Sequence, residues 1–342
     1  MVLSDSQSGV FRPVDIWNAR IRLKNLVLRT PLLFSPAISR RTSCQIYLKM
    51  ECWQLCGCFK VRGAINMVSA LSESERNRGL VTCSSGNHGT ALAYAASVFG
   101  QPPTKIFLPT YADPNKVSKL EALGAEAILH GETFLETLEE AQRYAEDSGA
   151  IYVHSHSHPL VIAGQGTIGL EIIEDLPDVQ TILVPIGGGG LVSGIATAVM
   201  TATSDVRIVG VEPTGAPGAY LSFRDGHCHE KIQLTPSVAD GLVGTLTPLT
   251  WEISKDLVAD VKLVEEEEII HAMQVFQHDE QLMVEGAAAA GLAAILSGKI
   301  DVENKRVVLV ITGRNIDADK YNKLVNPDLN KQQQQSAQNQ EG

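Results

Sequence analysis

The stretch "CGCFKVRGA" at residues 56–64 sets Lys60 beside Phe59 in a run of small residues. A lysine ammonium is strongly hydrated and is rarely taken into such surroundings without a chemical use. One reading is a surface lysine at a helix start. The other is an amine that forms a Schiff base, since a dry site lowers its pKa and frees the base. Two further stretches bear on the choice. "PIGGGGLVSGIA" at 185–196 follows an apolar run and opens a helical one. Gly187, Gly188, Gly189 and Gly190 there leave backbone N–H groups to converge on an anion, at the positive end of a helix dipole. A plain turn does not need the chain entropy of four glycines. "CSSGNHGTALAYAA" at 83–96 repeats the layout, with Ser84, Ser85, Asn87 and His88 just ahead of a helical run. Ser and Asn are good N-caps, but this loop holds more polar groups and glycines than a cap requires, and a carboxylate-binding loop fits it.

The glycine loop admits more than one phosphate. A dinucleotide reading would use the strand "VRIVGVE", which ends in Glu212 near where a ribose-binding acid would sit. The spacing opposes it: a third glycine would be needed at position 193, which is Ser193. A compact phosphate such as that of pyridoxal phosphate suits the bowl at least as well.

The elements that must position these residues alternate. Apolar runs at 44–51, 80–85, 104–109, 125–130, 181–186, 206–213 and 306–312 read as strands. Helical spacing marks 63–79, 86–100, 114–124, 134–149, 169–176, 191–202 and 265–280, and "GAAAAGLAAIL" at 286–296 reads as a buried helix. Strands apolar on both faces, separated by helices, imply parallel sheets covered on both sides, hence an α/β fold with two such sheets. The tail "KQQQQSAQNQEG" at 331–342 is polar and of low complexity, and is expected to be disordered.

The chain has 342 residues, 44% hydrophobic and 20% charged, with a formal net charge of −11. Such an acidic chain is a poor binder of nucleic acid. The N-terminus lacks a basic region followed by an apolar core, and no run approaches the ~20 apolar residues of a membrane span, so a cytoplasmic location is expected. Cys44, Cys52, Cys56, Cys58, Cys83 and Cys228 then read as reduced thiols. The C-x3-C-x-C spacing of Cys52, Cys56 and Cys58 matches no common zinc pattern. "HSHSHP" at 154–159 could chelate a metal, although a polar link between domains is the simpler reading.

Taken together, "FKVRGA", "SSGNHG", "VIAGQGTIGLEI", "GGGGLVSG" and "TGRNID" stand in the order found in a known family. The chain resembles the fold-type II pyridoxal-phosphate enzymes, in the serine/threonine dehydratase and serine racemase branch, from about residue 15 to 320. The resemblance implies two open, twisted, mainly parallel sheets in the manner of tryptophan synthase β. It implies a large cofactor domain from 1–75 and 155–325, a small mobile domain at 76–154, a polar tail at 326–342, and a homodimer. Lys60 matches the Schiff-base lysine, Phe59 the residue packed on the ring, and Asn87 the contact to the ring 3-hydroxyl. Gly187 to Gly190 match the phosphate bowl, and Thr312 the hydroxyl facing the pyridine nitrogen. Ser84, Ser85, Asn87 and His88 lie in the substrate-carboxylate loop, and Ser85 matches the second base of racemases. The implied reaction is β-elimination from a 3-hydroxy amino acid of the serine or threonine type, giving a 2-keto acid and ammonia. Racemisation, or a bulkier or hydroxyectoine-derived substrate, is the alternative.

Three departures stand out. "CGCFK" replaces the usual "TGSFK", and "VEGAAAAG" at 284–291 replaces "EPSGA" or "EPTAG". The family's divalent-metal site would use Glu212 and the Ala216 carbonyl, but Gly218 stands where its Asp would be, which weakens a hard-cation site. With no regulatory domain expected after 320, the feedback-controlled biosynthetic enzymes match poorly.

Overall fold

The computed structural model describes residues 10–203 and 205–326; the tail read at 331–342 lies outside them. Helix α1 (Pro13–Leu23) leads into β1 (Leu32–Phe34), α2 (Pro36–Thr42), β2 (Gln45–Lys49), α3 (Lys60–Ala70) and α4 (Glu73–Asn77). Next come β3 (Leu80–Cys83), α5 (Asn87–Val98), β4 (Thr104–Leu108), α6 (Pro114–Ala122), β5 (Glu126–Leu129), α7 (Phe134–Ser148) and β6 (Ile151–Tyr152). The chain continues through α8 (Pro159–Asp175), β7 (Thr181–Pro185), α9 (Gly190–Ala202), β8 (Arg207–Pro213), α10 (Gly218–Asp225) and α11 (Pro248–Ser254). It finishes with β9 (Asp260–Val264), α12 (Glu266–Glu280), α13 (Gly286–Leu296), β10 (Arg306–Val310) and α14 (Ala318–Val325).

Two sheets result, as expected. The larger has the order β1-β2-β10-β7-β8-β9 and the smaller β5-β4-β3-β6. Every pairing is parallel except β1 on β2, where Leu33 faces Leu48. All of β7 is buried, as the unbroken apolar run implied. The smaller sheet takes its strands from 80–152, and the larger from the flanking segments. No helix among the described residues is long and apolar enough to cross a membrane.

Two readings are corrected. The single helix expected over 63–79 is two. Leu71 leaves the helix at ψ 141°, and Ser72 with Glu75 forms a capping box that starts α4. The helix expected at 169–176 begins earlier, at Pro159. Gly164, Gly166 and Gly169 hid it, since glycine is a poor helix former. Their use is close approach: a Cβ on Gly164 would sit 2.6 Å from the Arg62 carbonyl oxygen, so α8 lies backbone to backbone on α3.

That contact is fastened by charge. Arg62 is fully buried and gives Nε and Nη2 to Glu51, each at 2.8 Å. It also gives Nη1 and Nη2 to Glu171 at 2.7 and 2.9 Å. Lys49 Nζ reaches Glu171 and the Thr30 carbonyl oxygen, each at 2.6 Å. Burial works against the Arg62 charge, but the two carboxylates raise its pKa overall. The cluster anchors the first turn of α3, two residues past Lys60.

Candidate active site

In parallel α/β sheets, ligands bind beyond the carboxyl ends of the strands. The singled-out segments all lie there: 50–60 after β2, 84–88 after β3, 186–190 after β7 and 311–315 after β10. Segment 153–158, after β6, joins them.

Lys60 is the first residue of α3. The loop ahead of it pairs with the end of β10: Phe59 N–H donates to Thr312 O at 3.1 Å, and Arg314 N–H to Gly57 O at 3.0 Å. Lys60 Nζ donates to the Ser155 carbonyl oxygen at 3.0 Å and lies 5.3 Å from the centre of the Phe59 ring. Burial lowers its pKa to about 8, against partial opposition from Cys58 and Glu285. The amine is therefore part free base near neutrality, which the surface-lysine reading would not give. The neighbouring thiols go the other way: burial pushes Cys56 up to about 11 and Cys52 up to about 12, and Cys58 higher still. Thiols so shifted stay protonated near neutral pH.

The glycine loop turns β7 into α9. Gly189 has φ +84°, in the left-handed region. The N–H groups of Gly187, Gly188 and Gly189 donate to no acceptor among the described residues. Each glycine also has a packing reason. A Cβ on Gly188 would overlap the His156 ring, and one on Gly190 would lie 2.8 Å from the His156 carbonyl oxygen. Gly188→Ala is expected to destabilise the protein by about 1–3 kcal/mol, as overpacking does; chemical denaturation measures it.

Ser84 and Ser85 are partly exposed on the loop that leads into α5. Asn87 is held from both sides: its Nδ2 donates to Glu285 Oε1 and Oε2 at 3.0 and 3.1 Å, and its Oδ1 accepts from Asn315 Nδ2 at 2.6 Å. His88 is buried and gives Nε2–H to Val153 O at 2.9 Å, and its Nδ1 has no partner. Burial, then the Lys60 charge, push His88 down to about 3, so it is a neutral ring. Thr312 is 2% exposed, and its hydroxyl oxygen is buried with no partner.

These features fit pyridoxal phosphate. The glycine loop offers free donors to a phosphate, the orphaned Thr312 hydroxyl has a use against a ring nitrogen, and Lys60 supplies the amine.

Glu285 and Asn315 carry no role in the sequence reading, and Ser155 and His156 enter it only within the His-Ser run at 154–159, as a chelating or linking segment and not as part of this site. Glu285 carried one signal, a lone carboxylate at the head of an Ala- and Gly-rich apolar helix. Burial pushes it up to about 7, while Asn87 draws it back.

Glu212 is placed differently from either of its readings. It is fully buried, and its carboxylate oxygens accept N–H of Ala219 at 2.9 Å and Tyr220 at 2.8 Å. A ribose cannot reach it, so the dinucleotide reading fails here. Ala216 is buried, and Gly218 opens α10 without offering a carboxylate. Groups of three or more His, Cys, Asp or Glu able to hold a metal are absent among the described residues.

Residues 23–313 match the family described as pyridoxal-phosphate dependent enzyme. The chain is 45% identical over 316 residues to an L-threonine ammonia-lyase of Thermotoga maritima, covering 92% of this chain and 78% of that one. It is 38% identical over 313 residues to the catabolic L-threonine dehydratase of Escherichia coli, covering 91% and 94%. The solved structure of maize serine racemase superposes with a TM-score of 0.86 at 34% identity, covering 91% of this chain and 97% of that one. With its lysine, glycine loop and orphaned threonine hydroxyl arranged as described, the chain belongs to the pyridoxal-phosphate-dependent enzyme family.

Proposed function

We propose that this protein is a pyridoxal-phosphate-dependent ammonia-lyase acting on a small 3-hydroxy amino acid, L-threonine first and serine next. The observation that carries the reading is the enclosed Lys60 amine, with its lowered pKa, set in one site with the unpartnered Thr312 hydroxyl. The names of the relatives supply the substrate class.

When bound, the cofactor acts as an electron sink for the substrate's α-carbon. Lys60 would hold the cofactor by its aldehyde carbon and, once displaced by substrate, take the α-proton. At a pKa of about 8 roughly a tenth of such amines are neutral at pH 7. Phe59 would pack on the ring, Asn87 would orient its 3-hydroxyl, and Gly187 to Gly190 would grip its phosphate. Thr312, a hydroxyl and not a carboxylate, would leave the ring nitrogen neutral, which suits elimination over long-lived carbanions. Ser84, Ser85, Asn87 and His88 form the substrate loop, with the N–H groups of the first turn of α5 able to receive a carboxylate. Residues 76–154 would move as a small domain against 1–75 and 155–325, in a cytoplasmic homodimer. Because the Glu212 carboxylate is already satisfied by helix N–H groups, no step is routed through a divalent cation.

The test is keto-acid release across 3-hydroxy amino acids, with chiral analysis of the remaining substrate. L-Threonine is expected to give 2-oxobutyrate at a rate unchanged by Mg²⁺ or EDTA. Inversion without keto acid would replace this reading by the second one, racemisation with Lys60 and Ser85 as the two bases. That reading is favoured by Ser85 standing partly exposed on the substrate loop.

A further inference from the structure

Segment 154–158, the alternating His-Ser run, has no part in the reaction as described. It is bent, not extended: His154 Nδ1 accepts the N–H of His156 at 3.3 Å and of Ser157 at 2.9 Å. Ser157 Oγ meets Thr247 Oγ1 at 2.7 Å and ties the bend down. The bend lays the His156 ring on Gly188 and its backbone on Gly190. His156 Nδ1 lies 2.8 Å from Ser155 Oγ, and the carbonyl of Ser155 is the one that receives Lys60 Nζ. The other ring nitrogen, Nε2, is in none of these bonds.

The groups facing this ring are Lys60 from α3, His88 from α5, His154 from its own loop, and the N-terminus of α9 behind the glycines. Burial first, then His154, Lys60 and His88, hold the ring well below the usual histidine range. Among the described residues, these groups include no carboxylate. An ammonium, a helix N-terminus and unpaired loop N–H groups make the local potential positive. A phosphate dianion on the glycines would reverse that balance.

We propose that His156 is the ionisable arm of the phosphate site, presenting Nε2–H to a phosphate on the glycine loop and taking up a proton as that phosphate docks. The proton comes from solvent. Ser155 Oγ–H donates to Nδ1 in the neutral ring and turns to accept Nδ1–H in the charged one, and no other bond changes. The proposal rests on the pyridoxal-phosphate reading of the site. The phosphate-bound state then holds more protons than the free state between the ring's two pKa values, so phosphate affinity rises as pH falls through that window.

The test uses the full chain freed of cofactor, titrated with pyridoxine 5′-phosphate, which carries the phosphate but no aldehyde and so leaves Lys60 chemistry out. Calorimetry at pH 7 in two buffers of different ionisation heat counts protons. The wild type is expected to take up about half to one proton more than His156→Gln. His156→Gln and His156→Phe should bind roughly tenfold or more weakly, as loss of a hydrogen bond to a charged group implies. Ser155→Ala, which keeps the ring but loosens it, should fall between. Equal proton uptake and an affinity within twofold in His156→Gln would overturn the proposal. Adding pyridoxal phosphate separates the failures: a visible absorption band in every protein shows that the site is folded, so equal uptake then refutes His156 alone. A wild type with no band would overturn the cofactor reading and this proposal with it.

Discussion

Lys60→Ala is expected to abolish keto-acid release, by about 10⁴-fold or more, and to stabilise the cofactor-free chain. The two effects share one cause. Enclosure that makes Lys60 a usable base also makes its ammonium costly to bury. Its pKa falls from 10.5 to about 8, which corresponds to a penalty on the order of 3 kcal/mol at most. The sign is fixed by linkage. Between those two values the unfolded chain binds more protons at this site than the folded chain, so stability rises with pH across that window. Below about pH 8 the penalty is present in full, and above about 10.5 it is gone. Lys60→Ala, and more cleanly Lys60→Met, should therefore gain about 1–3 kcal/mol at pH 7 in denaturant unfolding of the cofactor-free protein, and the gain should vanish by pH 10.5. A Lys60 variant less stable than wild type at pH 7 would mean that the amine is not enclosed as described. Added pyridoxal phosphate should stabilise the wild type and leave the variant unmoved, reversing their order.

Lys60 and the glycine loop were legible because each breaks a local rule: a charge among small residues, and four glycines where one makes a turn. The parallel sheets were legible because runs such as Thr181–Pro185 are apolar throughout, the pattern of strands covered on both faces. The partners of the site were not. Asn87 meets Glu285 across 198 positions and Asn315 across 228, and nothing local in "VEGAAAAG" or "TGRNID" says which loop they face. The His-Ser run reads as a polar link because nothing local says that the fold presses it onto Gly188. The glycines themselves were half understood. In sequence they speak of room for an anion, yet in the fold the His156 ring packs on Gly188 and its backbone on Gly190, and Leu246 and Thr250 pack on Gly189. Glu212 is legible only in part for a related reason: its position on β8 is clear from sequence, but not that α10 turns its N–H groups onto the carboxylate.

The motif arginine, Arg62, is the second place where a large effect is expected. Its cluster balances two cations, Arg62 and Lys49, against two carboxylates, Glu51 and Glu171. Arg62→Met leaves one buried cation for two buried carboxylates. Breaking a buried pair on one side costs about 3–5 kcal/mol, and a drop of roughly 5–10 °C in Tm follows for a domain of this size. The pH dependence identifies the cause. In the wild type, burial pushes Glu171 up, but Arg62 and Lys49 outweigh it and hold the carboxyl below its usual value. The stability it contributes is present above the unfolded value and lost as pH falls through the folded one. In Arg62→Met Glu171 loses its stronger partner, burial prevails, and its folded value rises above the unfolded one. Its penalty is then greatest near pH 8 and is relieved as protonation sets in below it. The gap between variant and wild type should therefore narrow from pH 8 toward pH 5. Arg62→Met with Glu171→Gln, which restores one cation to one carboxylate, should recover a good part of the loss at pH 8. A deficit that is constant with pH and untouched by the second substitution would mean that Arg62 acts through its packing volume, and that the charge cluster does not hold α3 and its lysine in place.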